Sequence, residues 1–398
     1  MTAQPTTSWR PAPTEAPFAW LHHVLETVNA DRSSPHHLPA AVTQPEHLLA
    51  WRDLDAILTH HHLEPPQLQL ARDRALLPQA DYTAPLTLRP GTTRHQIRPD
   101  KLTELLDAGA SLVLDAIDHL HPPLRDLATV LEAELRTDVL ITAYTSRTEV
   151  QAFNSHFDDH AVLVLQVAGT KHWTLTRPTV AWPTHAVHAP APAGPPDSTL
   201  TLHPGDVLYL PRGWWHEVAA TNGPSLHLTC ALTPHTTTDL LTWLATDPEH
   251  DVLRADLPHS AATADTDLAA LAERIAAALD NPAVLDRYYT ARDRCAPVRA
   301  ATAIPAPAPT QVPAPTGTEQ VRLLLPRARL SVTGQGLVLD GANRTWGISA
   351  SWQSVVTALL ANPVATLGDL ATEAGVSVPA ASEIIRSLAG SGIVATIA

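Results

Sequence analysis

The segment NSHFDDHAVLVLQVAGTKHWTL, residues 154–175, constrains the fold of this chain more than any other stretch. It opens with His156 and Asp158 and continues into a short apolar run that is typical of a buried strand. In an extended strand, residues two apart point to the same face, so we expect this imidazole and this carboxylate to stand side by side. They are two of the three side chains of the 2-His-1-carboxylate triad that holds non-haem Fe(II) with open coordination positions.

The segment HPGDVLYLPRGWWHEV supplies a third ligand. Pro204-Gly205 predicts a turn, residues 206–210 a strand and residues 211–213 a corner, after which His216 begins the next strand. We expect that strand to lie on the far side of a barrel from the His-x-Asp pair. A lone His-x-Asp recurs by chance in a chain with 22 histidines, but its coupling to this element in this order is specific. The predicted iron ligands and catalytic centre are His156, Asp158 and His216.

A zinc site is the rival interpretation of the same motif. His156 and His160 are four apart and would share a helix face, as in zinc proteases. Such a site needs glutamate directly after the first histidine, where this chain has Phe157, and the run that follows is strand-like. We therefore interpret His160 and Asp159 as surface residues or as neighbours of the ligands. The histidine groups at 22–23, 36–37 and 60–62 lack a carboxylate at ligand spacing and are interpreted as solvated surface.

Lys171 is one of only two lysines in the chain, beside 24 arginines. We expect residues 168–170, Ala-Gly-Thr, to form a hairpin turn that brings Lys171 back towards the iron face. Its ammonium would pair there with the distal carboxylate of a 2-oxo acid that chelates the iron, and a surface lysine is the alternative. Tyr144, on the preceding strand, is a second candidate for that carboxylate, with a core tyrosine as the alternative. Thr229 is a further candidate for the cosubstrate pocket.

The pattern of strands and turns predicts mixed α and β structure around a small antiparallel barrel or double-sheet jelly roll. Strands are expected at 111–117 and 138–146, with helices from about Pro99 to Ala108 and from Pro122 to Arg136. Later strands are separated by Pro-Gly, Arg-Gly and Asn-Gly turns, which suits a jelly roll. Trp214 and Trp215 are expected to pack at the mouth of the barrel.

Net charge, hydropathy and cysteine content indicate which partners and which location to expect for this protein. The net charge is 26 − 40 = −14, which argues against a sequence-independent grip on phosphates and suits a basic protein or peptide partner. We therefore expect no nucleic acid partner. No apolar run approaches the roughly 20 residues that span a bilayer, so no membrane partner is expected either. The two cysteines make no disulfide framework, and the start of the chain lacks the pattern of a signal peptide, which predicts a cytoplasmic protein.

Composition shifts divide the chain into five predicted parts. Residues 1–20 form a Pro/Thr/Ala-rich arm, 21–235 the catalytic domain, and 236–300 a helical region. In that region Leu268, Leu271, Ile275 and Leu279 share one helix face, which either packs against the barrel or forms a homodimer interface; we favour the dimer. Residues 301–318 are a Pro/Ala linker. Residues 319–398 read as helices followed by a closing strand and resemble a winged helix, with too few basic residues for a DNA reader.

HFDDHAVLVLQVAGTKHWTL together with PGDVLYLPRGWWHEV resembles the JmjC/cupin oxygenases that use Fe(II), 2-oxoglutarate and O2, and specifically the ribosomal oxygenases. That resemblance implies a double-stranded β-helix barrel, then a helical dimerisation region and a C-terminal winged helix. It implies that Lys171, with Tyr144 beside it, binds the 2-oxoglutarate carboxylate. The implied reaction hydroxylates a protein side chain, a ribosomal protein histidine or arginine being favoured, and yields succinate. The Pro-rich loop at 178–196 departs from the family.

Other functions fit parts of the same pattern. The oxygenase could instead hydroxylate a peptide natural product or a small molecule. A redox-inactive cupin, such as a metal-binding isomerase, would have no use for Lys171 in the pocket. A ligand sensor would use the barrel as its receptor and the winged helix as its DNA reader, which the neutral C-terminal domain argues against.

Overall fold

The computed structural model describes residues 18–89, 91–149, 151, 153–247, 254, 264–299, 315–334 and 336–397. Within these ranges the chain divides into two compact units. Unit 1 comprises residues 18–128 and 139–233, and unit 2 comprises residues 129–138 and 234–397. The predicted arm 1–20 lies outside the described residues except for 18–20, and so does the predicted linker 301–318 except for 315–318.

Unit 1 is built on an antiparallel sheet to which short helices are added. Its helices are α1 (Trp20–Ala30), α2 (Trp51–His60), α3 (Pro99–Asp107) and the start of α4 (Pro122–Leu135). Its strands are β1 (His36–Leu38), β2 (Leu68–Arg72), β3 (Ala75–Leu76), β4 (Thr83–Arg89), β5 (Thr92–Ile97), β6 (Ser111–Leu114), β7 (Val139–Ser146), β8 (Ala161–Thr176), β9 (Ser198–Leu202), β10 (Val207–Leu210) and β11 (Trp215–Leu232). In the described residues the main sheet runs β1-β10-β8-β11-β7-β6-β2-β3, and β9 also pairs with β8.

The long strands β8 and β11 pair along their whole length and belong to two arms of the sheet. The first half of β8 and the second half of β11 lie between β10 and β7 and form the first arm. The second half of β8 and the first half of β11 pair with each other and continue to β9, which forms the second arm. Side chains from both arms enclose the site described below. A two-layer antiparallel arrangement of this kind agrees with the predicted jelly roll.

Two predicted turns are absent, because both strands continue through them. Residues 168–170 do not form a hairpin; β8 passes through Gly169, which adopts φ +63°. Asn222-Gly223 likewise lies inside β11, where the register with β8 shifts. The register between β8 and β11 is irregular here, but neither strand ends. A Gly-Thr or Asn-Gly pair in the sequence does not distinguish a bulge from a turn.

The predicted Pro204-Gly205 turn is confirmed, and hydrogen bonds join it to residues 40–42. Gly205 has φ +91°, and a Cβ there would lie 2.4 Å from the carbonyl oxygen of Val42. The buried Asp206 carboxylate accepts backbone N–H groups from Ala40 at 2.8 Å and His203 at 2.9 Å. Burial acts to raise the pKa of Asp206, but these bonds and His37 together hold it below its usual value. The Pro-Gly-Asp motif thereby fixes the start of β10.

Most predicted helices of unit 1 are confirmed. α3 ends at Asp107, and Gly109, with φ +91°, follows it as expected for a C-terminal cap. α4 ends one residue before the predicted boundary. The predicted strand 111–117 stops at Leu114, because Ala116 turns into a left-handed conformation with φ +53°.

Unit 2 contains further helices and two small sheets. Its elements are the end of α4, α5 (Thr237–Thr246), α6 (Ala264–Leu279), α7 (Val284–Cys295), β12 (Gln320–Leu323), β13 (Arg329–Thr333), β14 (Gly336–Gly341), β15 (Arg344–Ile348), α8 (Gln353–Ala361), β16 (Val364–Thr366), α9 (Leu367–Ala374), α10 (Val378–Gly390) and β17 (Val394–Ile397). The predicted C-terminal helices and closing strand are confirmed, whereas the β13-β14-β15 sheet was not predicted. Buried ion pairs join residues 129–138 to the rest of this unit, as in Glu132 to Arg299 at 2.8 Å.

The helix α6 carries the apolar face expected from the sequence. Leu271 and Ile275 are half-buried and Leu279 is 40% exposed, while the side chain of Leu268 lies outside the described part. None of the helices in the described ranges is long and apolar enough to span a bilayer.

The bend of β8 at Gly169 leads to a stability prediction. A Cβ at Gly169 would lie 2.0 Å from the Pro224 carbonyl oxygen, whereas a Cβ at Gly223, with φ +98°, would meet nothing within 4 Å. Gly169→Ala should cost about 3 kcal/mol or more, from backbone strain and overpacking together. Gly223→Ala should cost only the strain, about 1–2 kcal/mol. Urea titration compares the free energies of unfolding, and equal losses would show that the contact with Pro224 does not constrain the strand.

Candidate metal centre

Two backbone hydrogen bonds place the two candidate histidine ligands side by side. His156 lies outside the regular strands and forms an isolated antiparallel bridge with His216, the second residue of β11. The His156 N–H donates to the His216 carbonyl at 3.1 Å, and the His216 N–H donates to the His156 carbonyl at 2.7 Å. The expectation that His216 comes from the far side of a barrel is therefore wrong. The ligands are neighbours because Gln151 and His156 form bridges with Ala219 and His216 of β11, at the edge of the second arm of the sheet.

The three predicted ligand side chains converge. One ligand atom from each of His156, Asp158 and His216 lies within 4.8 Å of the other two. The His216 Nε2 atom is 3.7 Å from an Asp158 carboxylate oxygen, and the two imidazole ring centres are 4.3 Å apart. His216 is buried, whereas His156 and Asp158 are partly exposed. The set contains two nitrogen donors and one carboxylate, which suits a non-haem Fe(II) ion.

Hydrogen bonds to the backbone fix which nitrogen of each imidazole is free. The Nδ1 atom of His156 lies 2.8 Å from the carbonyl oxygen of Asn154, and the Nδ1 atom of His216 lies 3.2 Å from that of Trp214. A carbonyl oxygen only accepts, so each Nδ1 carries the proton and the lone pair of the neutral ring is on Nε2. Burial lowers the pKa of His216 to about 4, and the neighbouring His156 adds to the effect. His216 is thus neutral at physiological pH, as a metal ligand must be.

Lys171 lies at the buried end of the same pocket, on the second half of β8. It is 4% exposed, and its Nζ donates to the Tyr144 carbonyl oxygen at 3.3 Å. Burial lowers the pKa of Lys171 from 10.5 to about 7. That shift corresponds to about 5 kcal/mol against keeping the ammonium charged in the folded protein. An anion that enters the pocket would offset this cost by pairing with the ammonium.

The other lysine, Lys101, is a surface residue that donates to Glu104 at 2.6 Å. Lys171, in contrast, lines the pocket, so the structure supports the pocket position over the surface position that was the alternative.

Tyr144 and Thr229 also line the pocket, as predicted. The Tyr144 ring stacks on the His227 ring at a centre-to-centre distance of 4.9 Å and an interplanar angle of 12°. Burial raises the pKa of the Tyr144 phenol, and the carboxylates of Asp158 and Asp115 raise it further. The phenol therefore stays protonated and remains a hydrogen-bond donor.

His227, Trp173, Ser111 and Ser146 line the pocket but were not predicted as site residues. Among the described residues, the buried Nδ1 of His227 and Nε1 of Trp173 have no hydrogen-bond partner. The two serine hydroxyls bond each other at 2.6 Å. Strand alternation contained the missing signal, because Trp173, Ser146 and His227 each lie two residues from a predicted pocket residue.

The pocket is a cavity of about 140 Å³ with polar residues at both ends and apolar walls between them. The partly exposed ligand pair marks its open end, and Lys171 marks its buried end. Val162, Val164, Val218 and Ala220 supply apolar walls. Two unpartnered buried polar atoms and a buried lysine fit a small anionic molecule held beside a metal ion. Outside the pocket, His160 pairs with Asp159 at 2.9 Å, as expected for residues next to the ligands, and Trp215 is buried against Phe157.

Comparison with known proteins identifies the domain that holds this site. The family model of the JmjC domain matches residues 120–240. The bifunctional lysine-specific demethylase and histidyl-hydroxylase NO66 of Drosophila persimilis is 36% identical over 109 residues, which are 27% of this chain and 16% of that protein. Ribosomal oxygenase 2 of Mus musculus is 39% identical over 89 residues, 22% of this chain and 19% of that protein. The chain thus spans less than a fifth of the length of either relative.

A solved structure matches nearly the whole chain. It is YcfD, a ribosomal oxygenase from Escherichia coli, in complex with cobalt and 2-oxoglutarate. The TM-score is 0.55 with 16% sequence identity, over 94% of this chain and 98% of YcfD. The predicted mixed α and β fold of JmjC/cupin type is therefore confirmed. Residues 120–240 match the JmjC domain model, and the fold of the chain is like that of YcfD.

Proposed function

We propose that this chain is an Fe(II)- and 2-oxoglutarate-dependent oxygenase that hydroxylates a side chain of a protein or peptide. The observation that carries the proposal is the convergence of His156, Asp158 and His216 at the open end of a pocket whose buried end holds Lys171. NO66 is named a histidyl-hydroxylase, and YcfD has been solved in complex with cobalt and 2-oxoglutarate. When bound, iron and 2-oxoglutarate would activate O2 and deliver one oxygen atom to a C–H bond, with release of succinate and CO2.

The residues of the chain have separate roles in this proposal. His156, Asp158 and His216 hold the iron, the imidazoles through the Nε2 atoms that their backbone bonds leave free. Lys171 pairs with the distal carboxylate of 2-oxoglutarate. Tyr144, protonated at all physiological pH values, donates a hydrogen bond to the same carboxylate, and Thr229 lines that part of the pocket.

His227 and Trp173 complete the cosubstrate pocket in this proposal. The stacked His227 ring keeps Tyr144 in place, and its buried Nδ1 has no hydrogen-bond partner among the described residues. Trp173 offers an unpartnered N–H and contacts both His216 and His227. The valines of the wall exclude water, which strengthens the pairing of charges inside the pocket.

We propose a basic polypeptide as the substrate, with a ribosomal protein histidine or arginine favoured. The net charge of −14 supports a basic partner, and two relatives are named ribosomal oxygenases. At the open end of the pocket His156 and Asp158 are only partly exposed, so a side chain, not a whole domain, would reach the metal.

We also propose roles for the remaining parts of the chain. Residues 236–300 would form a homodimer interface, for which the half-buried Leu271 and Ile275 and the exposed Leu279 are the support. Residues 319–398 would act as a winged-helix protein-contact module, since α8, α9 and α10 accompany the β16-β12-β17 sheet and α10 carries a single arginine. The two free cysteines support a cytoplasmic location.

Removal of one ligand tests the metal site. His156→Ala should lower both bound iron and succinate formation from 2-oxoglutarate at least about 100-fold, because loss of a ligand exceeds the cost of losing an outer hydrogen bond. His160→Ala is the matched control, since it removes a nearby imidazole that faces Asp159. Metal content after desalting and NMR detection of succinate give the two readouts. Retention of both by His156→Ala would refute the ligand assignment.

Lys171 provides a pH-dependent test of the cosubstrate site. Burial lowers its pKa to about 7, so pairing of the ammonium with an anion above pH 7 must take up a proton. The affinity for 2-oxoglutarate should therefore fall as pH rises from 7 to 9, by at most about tenfold per unit. Below pH 7 the ammonium is already charged, so the affinity should level off. Calorimetric titrations in buffers of different ionisation enthalpy measure both affinity and proton uptake.

The two lysines of the chain supply the matched variants for that titration. Lys171→Met should weaken 2-oxoglutarate binding about 30-fold or more at pH 7 and abolish the pH dependence. Lys101→Met removes the exposed lysine and should change neither. A pH dependence that survives in Lys171→Met would assign the proton to another group.

A further inference from the structure

The connection between β8 and β9, residues 177–197, is a long ordered loop whose two ends are hydrogen-bonded to each other. The Arg177 N–H donates to Asp197 at 2.8 Å, and the Arg177 guanidinium lies 3.3 Å from the same carboxylate. The Asp197 N–H in turn donates to the Leu175 carbonyl at 2.9 Å. Loops longer than about 12–15 residues without secondary structure are usually functional when they are ordered.

The first part of the loop, residues 179–183, is hydrogen-bonded to residues 212–215, which precede His216. The Arg212 guanidinium donates to the Pro183 carbonyl at 2.7 Å and to the Trp182 carbonyl at 3.2 Å. Gly213 packs so closely that a Cβ there would lie 3.1 Å from the Pro183 ring. The Trp215 indole donates to the Thr179 hydroxyl at 2.9 Å. The loop therefore keeps a fixed position relative to the strand that carries His216.

The corner at residues 211–213 is also hydrogen-bonded to the segment that carries the other two ligands, His156 and Asp158. The Gly213 N–H donates to the backbone carbonyl of Asp158 at 3.0 Å, and Asp158 and His156 form the open end of the pocket. A polypeptide that places a side chain in the pocket must pass this end, because Lys171 closes the other. Through this corner, residues 179–183 are connected to the residues that form the open end of the pocket.

Trp182 lies on this part of the loop. Its side chain is 81% exposed, although the next residue, Pro183, is buried. Its backbone has φ +52°, a left-handed conformation that costs a residue with a side chain about 1–3 kcal/mol. Within the described residues, no ring contact or hydrogen bond of the Trp182 side chain is found. Nothing in the described part of the chain accounts for a large aromatic side chain held in water on a strained backbone.

We propose that Trp182 binds an arginine or lysine side chain of a basic polypeptide substrate, outside the residue that enters the pocket. The face of an indole ring attracts guanidinium and ammonium groups. The chain is strongly acidic, which favours basic partners at long range. The Arg212 guanidinium is bonded to backbone carbonyls, and among the described residues no arginine or lysine lies over the Trp182 ring, so the ring is open to an external cation. This inference rests on the proposed function, since a polypeptide substrate is what supplies the cation.

A binding cycle tests the contact without any turnover. The fluorescein-labelled peptides (Gly-Arg)5 and (Gly-Cit)5, in which neutral citrulline replaces arginine, are titrated with the full-length protein at moderate salt. Wild type should prefer the arginine peptide, and Trp182→Ala should reduce that preference about three- to tenfold. Trp182→Phe should keep part of the preference. Trp51→Ala is the matched control, because Trp51 is 40% exposed on α2, and its preference should equal that of wild type.

The outcomes separate this inference from the proposed function. An unchanged preference in Trp182→Ala, or a loss of equal size in Trp51→Ala, overturns the role of Trp182. So does a changed oligomeric state of Trp182→Ala with the arginine preference intact, because the residue would then serve self-association. Intact-mass analysis of ribosomal proteins incubated with wild-type enzyme, iron and 2-oxoglutarate tests the proposed function separately. Absence of a one-oxygen gain there would contradict the protein substrate, while the binding cycle would still decide the role of Trp182.

Discussion

The antiparallel bridge between His156 and His216 is the interaction on which the site depends. Its two backbone hydrogen bonds bring together residues 60 positions apart and point both imidazoles into one pocket. Carbonyl groups of Asn154 and Trp214 then orient the rings and leave Nε2 free on each. Because these constraints come from the backbone, the ligand geometry exists before a metal binds. A preorganised ligand set of this kind reduces the cost of ordering side chains around the ion.

Burial of a lysine organises the opposite end of the pocket. A charged amine without an anionic partner is costly there, and its depressed pKa shows how strongly the protein disfavours it. The same burial makes the site selective, since a dicarboxylate that reaches the metal with one end can pair with Lys171 at the other. Tyr144 and His227 contribute to this end by stacking on each other. The burial that makes the charged lysine costly is thus coupled to the chemistry that we propose for this pocket.

Sequence reasoning identified every residue of the candidate metal set and Lys171, because these side chains have unusual types at informative spacing. It was wrong about the connections: β8 bends at Gly169 without turning back, and His216 lies beside His156. Local sequence shows that a glycine can adopt positive φ but not whether the strand resumes its pairing afterwards. Pairing partners distant in sequence are set by the whole sheet. His227 was overlooked because a histidine among apolar residues resembles an ordinary core position.

The location of a bound metal tests the central claim most directly. Crystals grown with Mn2+, a redox-stable substitute for Fe(II), and 2-oxoglutarate would reveal the ion through its anomalous scattering. The account predicts one ion per chain bonded to His156, Asp158 and His216, with the distal carboxylate of 2-oxoglutarate within hydrogen-bonding distance of the Lys171 Nζ. An ion held by other side chains, such as the histidine group at 60–62, with the triad empty, would contradict it.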